Sequence, residues 1–428
     1  GTSFTGFSDG SEVSVTNAKA TGGTSSISST LNLSGSLWVG GATLNLDSGA
    51  NVTASTLRMA EQGVSTLNIS SGATLTVTGS ENAWGTGASL LLSHWANGAT
   101  LNLSGGQLLA ESAEMKLSWS GTGTFNATSG TARLSGLNFW AQTGPFKGHF
   151  NLGSADSGDA KVYLGSAGIK DAALSSADST DSSITLGNGT LGVTDNWSTS
   201  YNTGYTPMTI RLVGTNGGTV FDTEDPDDAT GHTITINHAM AGTGKLVKDG
   251  AGTLALMKDS SYSGGTTLSA GTLIAGASNA LGDASGSVTI SGGQLSVSEN
   301  VTLAQTAITI VLSDVYNTEN TEKIAAISGA GTFVDGTTIT LDKAADAVAL
   351  ALVMEAPQKY SYQIFDSTSS LVGTDWTFEL GSAWDGWEQS YDTTSGVLTL
   401  TIPEPSAFGL LAGAGALALV VSRRKRRK

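Results

Sequence analysis

The chain has no cysteine, and that absence removes disulfides, thiolate zinc sites and cysteine nucleophiles together. Proline is scarce, 6 in 428 residues, whereas glycine reaches 57, roughly twice its usual share. Many glycines with few prolines argue against a disordered linker and for many tight corners. Charge is scarce as well: Asp, Glu, Lys and Arg make up 13% of the chain, so the surface must be covered largely by Ser, Thr and Asn. What charge exists is mostly of one sign. The formal net charge is −16, and six of the 20 basic groups occupy the last six residues. Without residues 403–428 the body holds 14 basic against 35 acidic groups, a net of −21. Such a body is repelled by nucleic acid and anionic lipid, so no nucleic-acid partner is expected. No serine stands in a nucleophile-elbow context, and the many Gly-x-Gly matches follow from glycine content alone. Neither a catalytic residue nor a cofactor is expected.

What is present is a rhythm. Short runs alternate apolar residues with Thr or Ser and are separated by glycines, as in Thr253-Leu254-Ala255-Leu256 and Gly271-Thr272-Leu273-Ile274. Alternation with period two marks strands with one buried face. Strands this short cannot bury a core alone and must stack on their neighbours. The sequence therefore predicts an all-β chain, a right-handed parallel β-helix (β-solenoid) with terminal caps and a short C-terminal hydrophobic helix. The handedness rests on the general chirality of parallel crossovers together with the family resemblance given below.

Along the chain, residues 1–28 read as a polar lead-in that caps the first coil. Residues 29–164 repeat the tetrad Thr-Leu-Asn-Leu at Thr30–Leu33, Thr43–Leu46 and Thr100–Leu103, with variants at Thr66–Ile69 and Thr124–Ala127. Between them run second strands beginning at Leu37, Leu57, Leu90, Met115 and Leu137. Their spacing is one solenoid turn per repeat, apart from an insertion near Glu81–Gly87. Many Asn-x-Ser/Thr triplets (Asn32, Asn51, Asn68, Asn102, Asn126, Asn188, Asn196, Asn300) fall out of this rhythm, with the asparagines expected to ladder at corners rather than carry glycans. Residues 165–232 read as irregular coils, with a polar loop or short helix near 165–182, strands resuming at Leu186–Val193 and Met208–Val213, and an acidic loop interrupted by Pro226. Residues 233–344 resume the solenoid. Residues 345–402 gather Tyr360, Tyr362, Trp376, Trp384, Trp387 and Tyr391 into an aromatic C-terminal cap ending in a strand at Gly396–Ile402.

The opening coils resemble the glycine-rich repeats of type V secreted passengers and of PEP-CTERM surface proteins. The likeness is most specific at residues 241–274, which resemble the autotransporter-associated β-strand repeat. Gly242-Thr243-Gly244-Lys245-Leu246, Lys248-Asp249-Gly250, Gly252-Thr253-Leu254, Tyr262-Ser263-Gly264-Gly265-Thr266-Thr267 and Gly271-Thr272-Leu273 stand there in order. The stretch is expected to form one well-preserved coil. Residues 403–428 resemble the PEP-CTERM sorting signal: Pro403-Glu404-Pro405, fifteen uninterrupted apolar residues at Ala407–Val421, then the basic run Arg423, Arg424, Lys425, Arg426, Arg427 and Lys428. A helix of that apolar length reaches about 22 Å, short of the ~30 Å hydrocarbon core. The resemblance implies an exosortase-type membrane peptidase as partner and a transient hold on the membrane before processing. It implies a Gram-negative-type cell surface, outer membrane or matrix as destination. The chain opens at Gly1 rather than Met, consistent with an export signal removed ahead of it.

The expected function is an exported structural or adhesin-like protein that engages extracellular polysaccharide or host glycans and is not an enzyme. One alternative is a β-helix polysaccharide lyase or glycosidase. Another is an autotransporter-like passenger, set back because no C-terminal β-barrel follows the array. Three places are candidate sites. The loop Asp222, Glu224, Asp225, Asp227 and Asp228 offers hard oxygen ligands suited to calcium, with Arg211 the nearest arginine in sequence; it lacks the spacing of known calcium loops. Trp384 and Trp387 could present two indoles to a sugar, or plug the cap as large aromatics usually do. The insertion at 81–99, flanked by Trp84 and Trp95, interrupts the rhythm. The histidines (His94, His149, His232, His238) read as isolated polar positions at strand ends, with no shared metal.

Overall fold

The computed structural model describes residues 13–15, 18–79, 90–93, 97–119, 121–139, 147–171, 182–203, 206–313, 316–319, 323–343, 359–366, 376–384 and 387–401. These residues form an almost purely β structure in which a large sheet of parallel strands winds through three faces. Each coil contributes one strand to each face. Thr24–Ile27, Thr30–Leu33 and Ser36–Gly40 make one circuit, and Thr43–Leu46 returns beneath Thr24–Ile27 to begin the next.

The alternation read from the sequence is the in–out alternation of these strands. Thr43–Leu46 places Leu44 and Leu46 inside, and Thr43 and Asn45 outside and half-buried. Register then aligns like with like along the axis. On the first face Leu44, Leu67, Leu101, Phe125, Phe150 and Ile184 form one interior column, with Phe125 and Phe150 stacked at 5.5 Å between centroids. On the third face Leu37 pairs with Leu57, Leu57 with Leu90, Leu90 with Met115 and Met115 with Leu137, the spacing predicted. Every member of both columns is buried, at about 1.5–3 kcal/mol per large side chain.

The tetrads divide between two faces, and three expectations are corrected. The Thr-Leu-Asn-Leu tetrads do not all share a face: Thr30–Leu33 pairs with Val13–Val15 and Asn51–Ala54 on the second face, while the other four pair with one another on the first. A tetrad encodes inside and outside only, so any face can use it. The asparagines ladder in mid-strand, not at corners. Residues 165–171 are the end of the strand Lys161–Asp171 rather than loop or helix, while 172–181 lie outside the described residues; where strands are expected to resume, Gly189–Val193 and Ile210–Leu212 pair regularly. Finally, residues 241–274 are two superposed coils rather than one. Ala241 lies over Ser261, Leu246 over Thr266 and Thr253 over Thr272.

Those two coils are tight because glycine lets backbones touch. Gly271 has φ +65°, and a Cβ there would meet the carbonyl oxygens of Gly252 at 2.3 Å and Gly250 at 2.4 Å. At the last coil Lys359–Gln363, Val397–Thr401 and Glu388–Asp392 form a three-stranded antiparallel sheet, with Val397–Thr401 central. Phe365 joins it to the solenoid by a bridge to Ile327, and its ring stacks on Trp376 at 5.0 Å. Among the described residues no helix is long and apolar enough to cross a membrane. The sorting signal at 403–428, with its expected helix, lies outside the described residues, as do Trp84, Trp95, Trp140 and His94.

Candidate functional site

The acidic loop follows the strand Thr219–Asp222, and its carboxylates are largely engaged in holding its own turns. Asp222 Oδ1 accepts from the Glu224 amide at 3.1 Å, Asp225 Oδ1 from the Asp227 amide at 2.8 Å, and Asp228 Oδ1 from the Thr230 amide at 2.9 Å. Glu224 Oε2 reaches the Ala251 amide at 3.2 Å. Asp227 is clamped in a bidentate pair by Arg133, whose Nη2 donates to Oδ1 at 2.7 Å. That guanidinium holds the Asp227 carboxyl below the usual carboxylate range, and Asp227 in turn raises the pKa of Arg133. Among the described residues no three His, Asp or Glu side chains are grouped to hold a metal ion.

The arginine that meets the loop is therefore Arg133, 94 residues away in the chain, and not Arg211. The register explains the substitution. On the second face Arg133 pairs with Tyr163 and Tyr163 with Gly192, while Leu191 pairs with Phe221, so Gly192 and Asp222 follow in the same outward column. The loop folds back over Gly192, where the ring of Tyr163 occupies the space a side chain would take. Burial pushes the Tyr163 phenol up, and the Asp222 carboxylate adds to the shift. Arg211 lies on Ile210–Leu212, exposed, between Thr185 and Ala241. The cluster is a clasp across successive coils, with Glu111 contributing a further contact to Arg133 at 3.3 Å.

In the cap, Trp384 is 2% exposed and belongs to the continuous apolar core. Trp387 is half-buried and meets it edge-on at 5.0 Å, with Tyr360 on its other side at 5.8 Å. The two indoles pack into each other and into the plug rather than lying side by side as a platform.

Two polar groups lie inside the solenoid, Lys248 and His238; the latter is not the isolated strand-end position expected, and His149 likewise stands in mid-strand beside Ser183. Lys248 stands in the interior column between Phe221 and Leu268 and is fully buried. Its ammonium donates to the carbonyls of Asp249 at 2.9 Å, Gly250 at 2.8 Å and Ala270 at 2.9 Å, bracing a corner from within. Burial lowers its pKa to about 8. The signal was there: with Leu246 inward, period two puts Lys248 inward as well. His238 is the second group. Its Nδ1 lies 2.8 Å from Thr199 Oγ1, and its Nε2 lies 3.7 Å from Asp171 Oδ2, beyond hydrogen-bond reach. The order Asp, His, Thr suggests a nucleophile relay, yet Thr199 is 0% exposed and its Oγ1 also accepts from the Asn237 amide. The hydroxyl faces the core, so the network is structural.

On the first face the outward asparagines join into a continuous ladder. Asn68 donates to Asn45 and Asn102 to Asn68, each at 2.8 Å, and Asn126 donates to Asn102 and Asn151 to Asn126, each at 2.9 Å.

Comparison with known proteins agrees with this architecture. Residues 246–275 match the passenger-associated transport repeat, and residues 401–427 match the PEP-CTERM protein-sorting motif. A 128-residue stretch is 34% identical to the adhesin BmaC autotransporter of Brucella suis biovar 1 (strain 1330), covering 29% of this chain and 4% of that relative. The chain thus spans only a small part of the relative's length. No solved structure matches. The chain is a parallel β-solenoid that carries a passenger-type transport repeat within its coils and a PEP-CTERM sorting motif at residues 401–427.

Proposed function

We propose that this is an exported, non-enzymatic surface or matrix protein of a Gram-negative-type bacterium, adhesin-like, whose solenoid displays its faces to extracellular polysaccharide or host glycans. The observation that carries the reading is the pairing of a passenger-type repeat inside a three-faced solenoid with a sorting motif at 401–427. Such a stack gives a rigid, extended support, and its half-buried and exposed side chains are the working surface. The tail holds the chain at the membrane until an exosortase-type peptidase acts on it, with Pro403, Glu404 and Pro405 as its recognition motif and Arg423–Lys428 on the cytoplasmic side. The carboxylates of the acidic loop being tied to amides and to Arg133 supports the non-enzymatic reading, since a hydrolase or lyase needs open, converging groups.

The test is expression of the full chain in an exosortase-bearing host beside a variant lacking residues 403–428. The full chain should be found processed at the surface and should promote adhesion to a polysaccharide matrix; the truncated chain should leave the membrane fraction. Adhesion no better than that of cells lacking the protein would sink the reading. So would new reducing or unsaturated ends on incubation with polysaccharide.

A further inference from the structure

The first face carries a two-dimensional lattice. Thr43 pairs with Thr66, Thr66 with Thr100 and Thr100 with Thr124, while the asparagine ladder runs beside them two residues along each strand. Strand geometry sets the spacing: about 4.8 Å between rungs and about 6.6 Å between the threonine and asparagine columns. Five asparagines in register extend roughly 19 Å. All these side chains point outward and are half-buried, as expected of positions flanked by their own copies. The ladder uses one N–H of each donor asparagine, which leaves its second N–H available, and the threonine column adds one hydroxyl per rung.

The lattice is also neutral, in a chain whose net charge is −16. The threonine and asparagine columns contain no Asp, Glu, Lys or Arg; Asp47 stands at one margin and Lys147 on the rung where His149 replaces threonine. A neutral face on an acidic body offers nothing to an anionic polymer and no carboxylate row to a cationic one. It offers donors and acceptors at a fixed repeat, without Trp, Tyr or Phe in the threonine and asparagine columns for sugar faces to stack on. Regular polar contacts gain most from a ligand that is itself regular, because once the first rungs are engaged each added rung carries no new translational or rotational cost.

We infer that this face is the adhesive surface, and that its ligand is a linear neutral polysaccharide lying along the stack, held through its hydroxyl edges. The inference rests on the adhesin-like reading above and names its site and ligand class. The full chain is tested for retention on cellulose particles, with alginate-coated beads as the anionic comparison. Wild type should be retained on cellulose, no less so when salt is raised, and should pass over alginate. Thr66→Lys with Thr124→Lys, which places two charges on the lattice, should weaken retention at least tenfold. The triple change Thr66→Val, Thr100→Val and Thr124→Val keeps the β-branched shape that strands favour and removes only hydroxyls; it should weaken retention several-fold with an unchanged melting curve. Equal retention of all three proteins on cellulose, or preference for alginate, overturns the inference while leaving adhesion as such intact. Failure of wild-type cells to adhere to any matrix overturns the broader proposal instead.

Discussion

The coils around Asn45–Asn151 and those around Met240–Ala275 have one architecture and hold it together in opposite ways. In the first group the most regular side-chain bonds that tie coil to coil run along the outside, amide to amide, while the interior columns are mainly leucine and phenylalanine, with Ser65 a buried polar exception. Successive rungs there tolerate large differences in loop length: Leu37 pairs with Leu57, but Leu57 pairs with Leu90. In the second group the extra polar bonds run inside, from Lys248 to three carbonyls, and every circuit is short. An outer ladder survives insertions because each asparagine needs only the rung below. An inner brace needs the corner to close at a fixed size, and glycine at that corner is what permits it.

The sharpest way to break the second arrangement is at Gly271. Alanine there must adopt φ +65° and bring its methyl within about 2.5 Å of two carbonyl oxygens. Strain and overlap together should cost about 3 kcal/mol or more, read as a lowered denaturation midpoint. Lys248→Met follows. It keeps the length and apolar stem but removes three charge-assisted bonds, leaving the Asp249 and Gly250 carbonyls to Thr223 alone, an expected loss of about 2–3 kcal/mol near neutral pH. The pH dependence has a definite sign. The folded amine titrates at about 8 and the unfolded one near its ordinary value of 10.5, so between them the unfolded chain binds more protons. This group therefore lowers stability most below pH 8, and stability attributable to it rises as pH climbs from 8 toward 10.5. Melting wild type and Lys248→Met across that window should show their difference widening with pH; a constant difference would mean that the buried amine keeps its ordinary pKa.

The outer ladder should give more gently. Asn102→Ala removes two amide bonds, one to Asn68 and one from Asn126, both at half-buried positions. At about 0.5–1.5 kcal/mol net per bond the loss should be roughly 1–2 kcal/mol, less than for Lys248 because water can replace the lost partners. If Asn102→Ala cost more than Lys248→Met, the contrast between outer and inner bonding would be inverted.

The sequence makes the scaffold legible because period-two alternation is local and the leucine offsets repeat. Leu37, Leu57, Leu90, Met115 and Leu137 could be placed on adjoining rungs by counting. It does not reveal which face a tetrad joins, as Thr30–Leu33 shows, since identical tetrads satisfy identical in–out demands. Lys248 was legible by parity but hidden by the expectation that charge lies outside. The Arg133 clasp was not legible at all. Its partners come together only after several coils of unequal length have been wound, so sequence proximity pointed to Arg211 instead.

That clasp should carry the smallest effect and the plainest salt and pH signature. The Asp227 carboxyl is exposed and held below its ordinary pKa chiefly by the Arg133 guanidinium. A carboxylate depressed in the folded state contributes stability above the unfolded pKa, and that contribution is lost as pH falls through the folded one. Asp227→Asn should therefore melt slightly below wild type at neutral pH and low salt, and the two should converge both on acidification below the carboxylate range and on adding salt. The loop also braces itself through Asp225 and Asp228, so the substitution should free the link to Arg133 without undoing the turns. Hydrogen exchange would separate these roles. The amides of Asp227 and Thr230 should stay protected in Asp227→Asn if the turns are self-supporting. If they lose protection together, the cross-coil pair, rather than the local Asx turns, orders the loop.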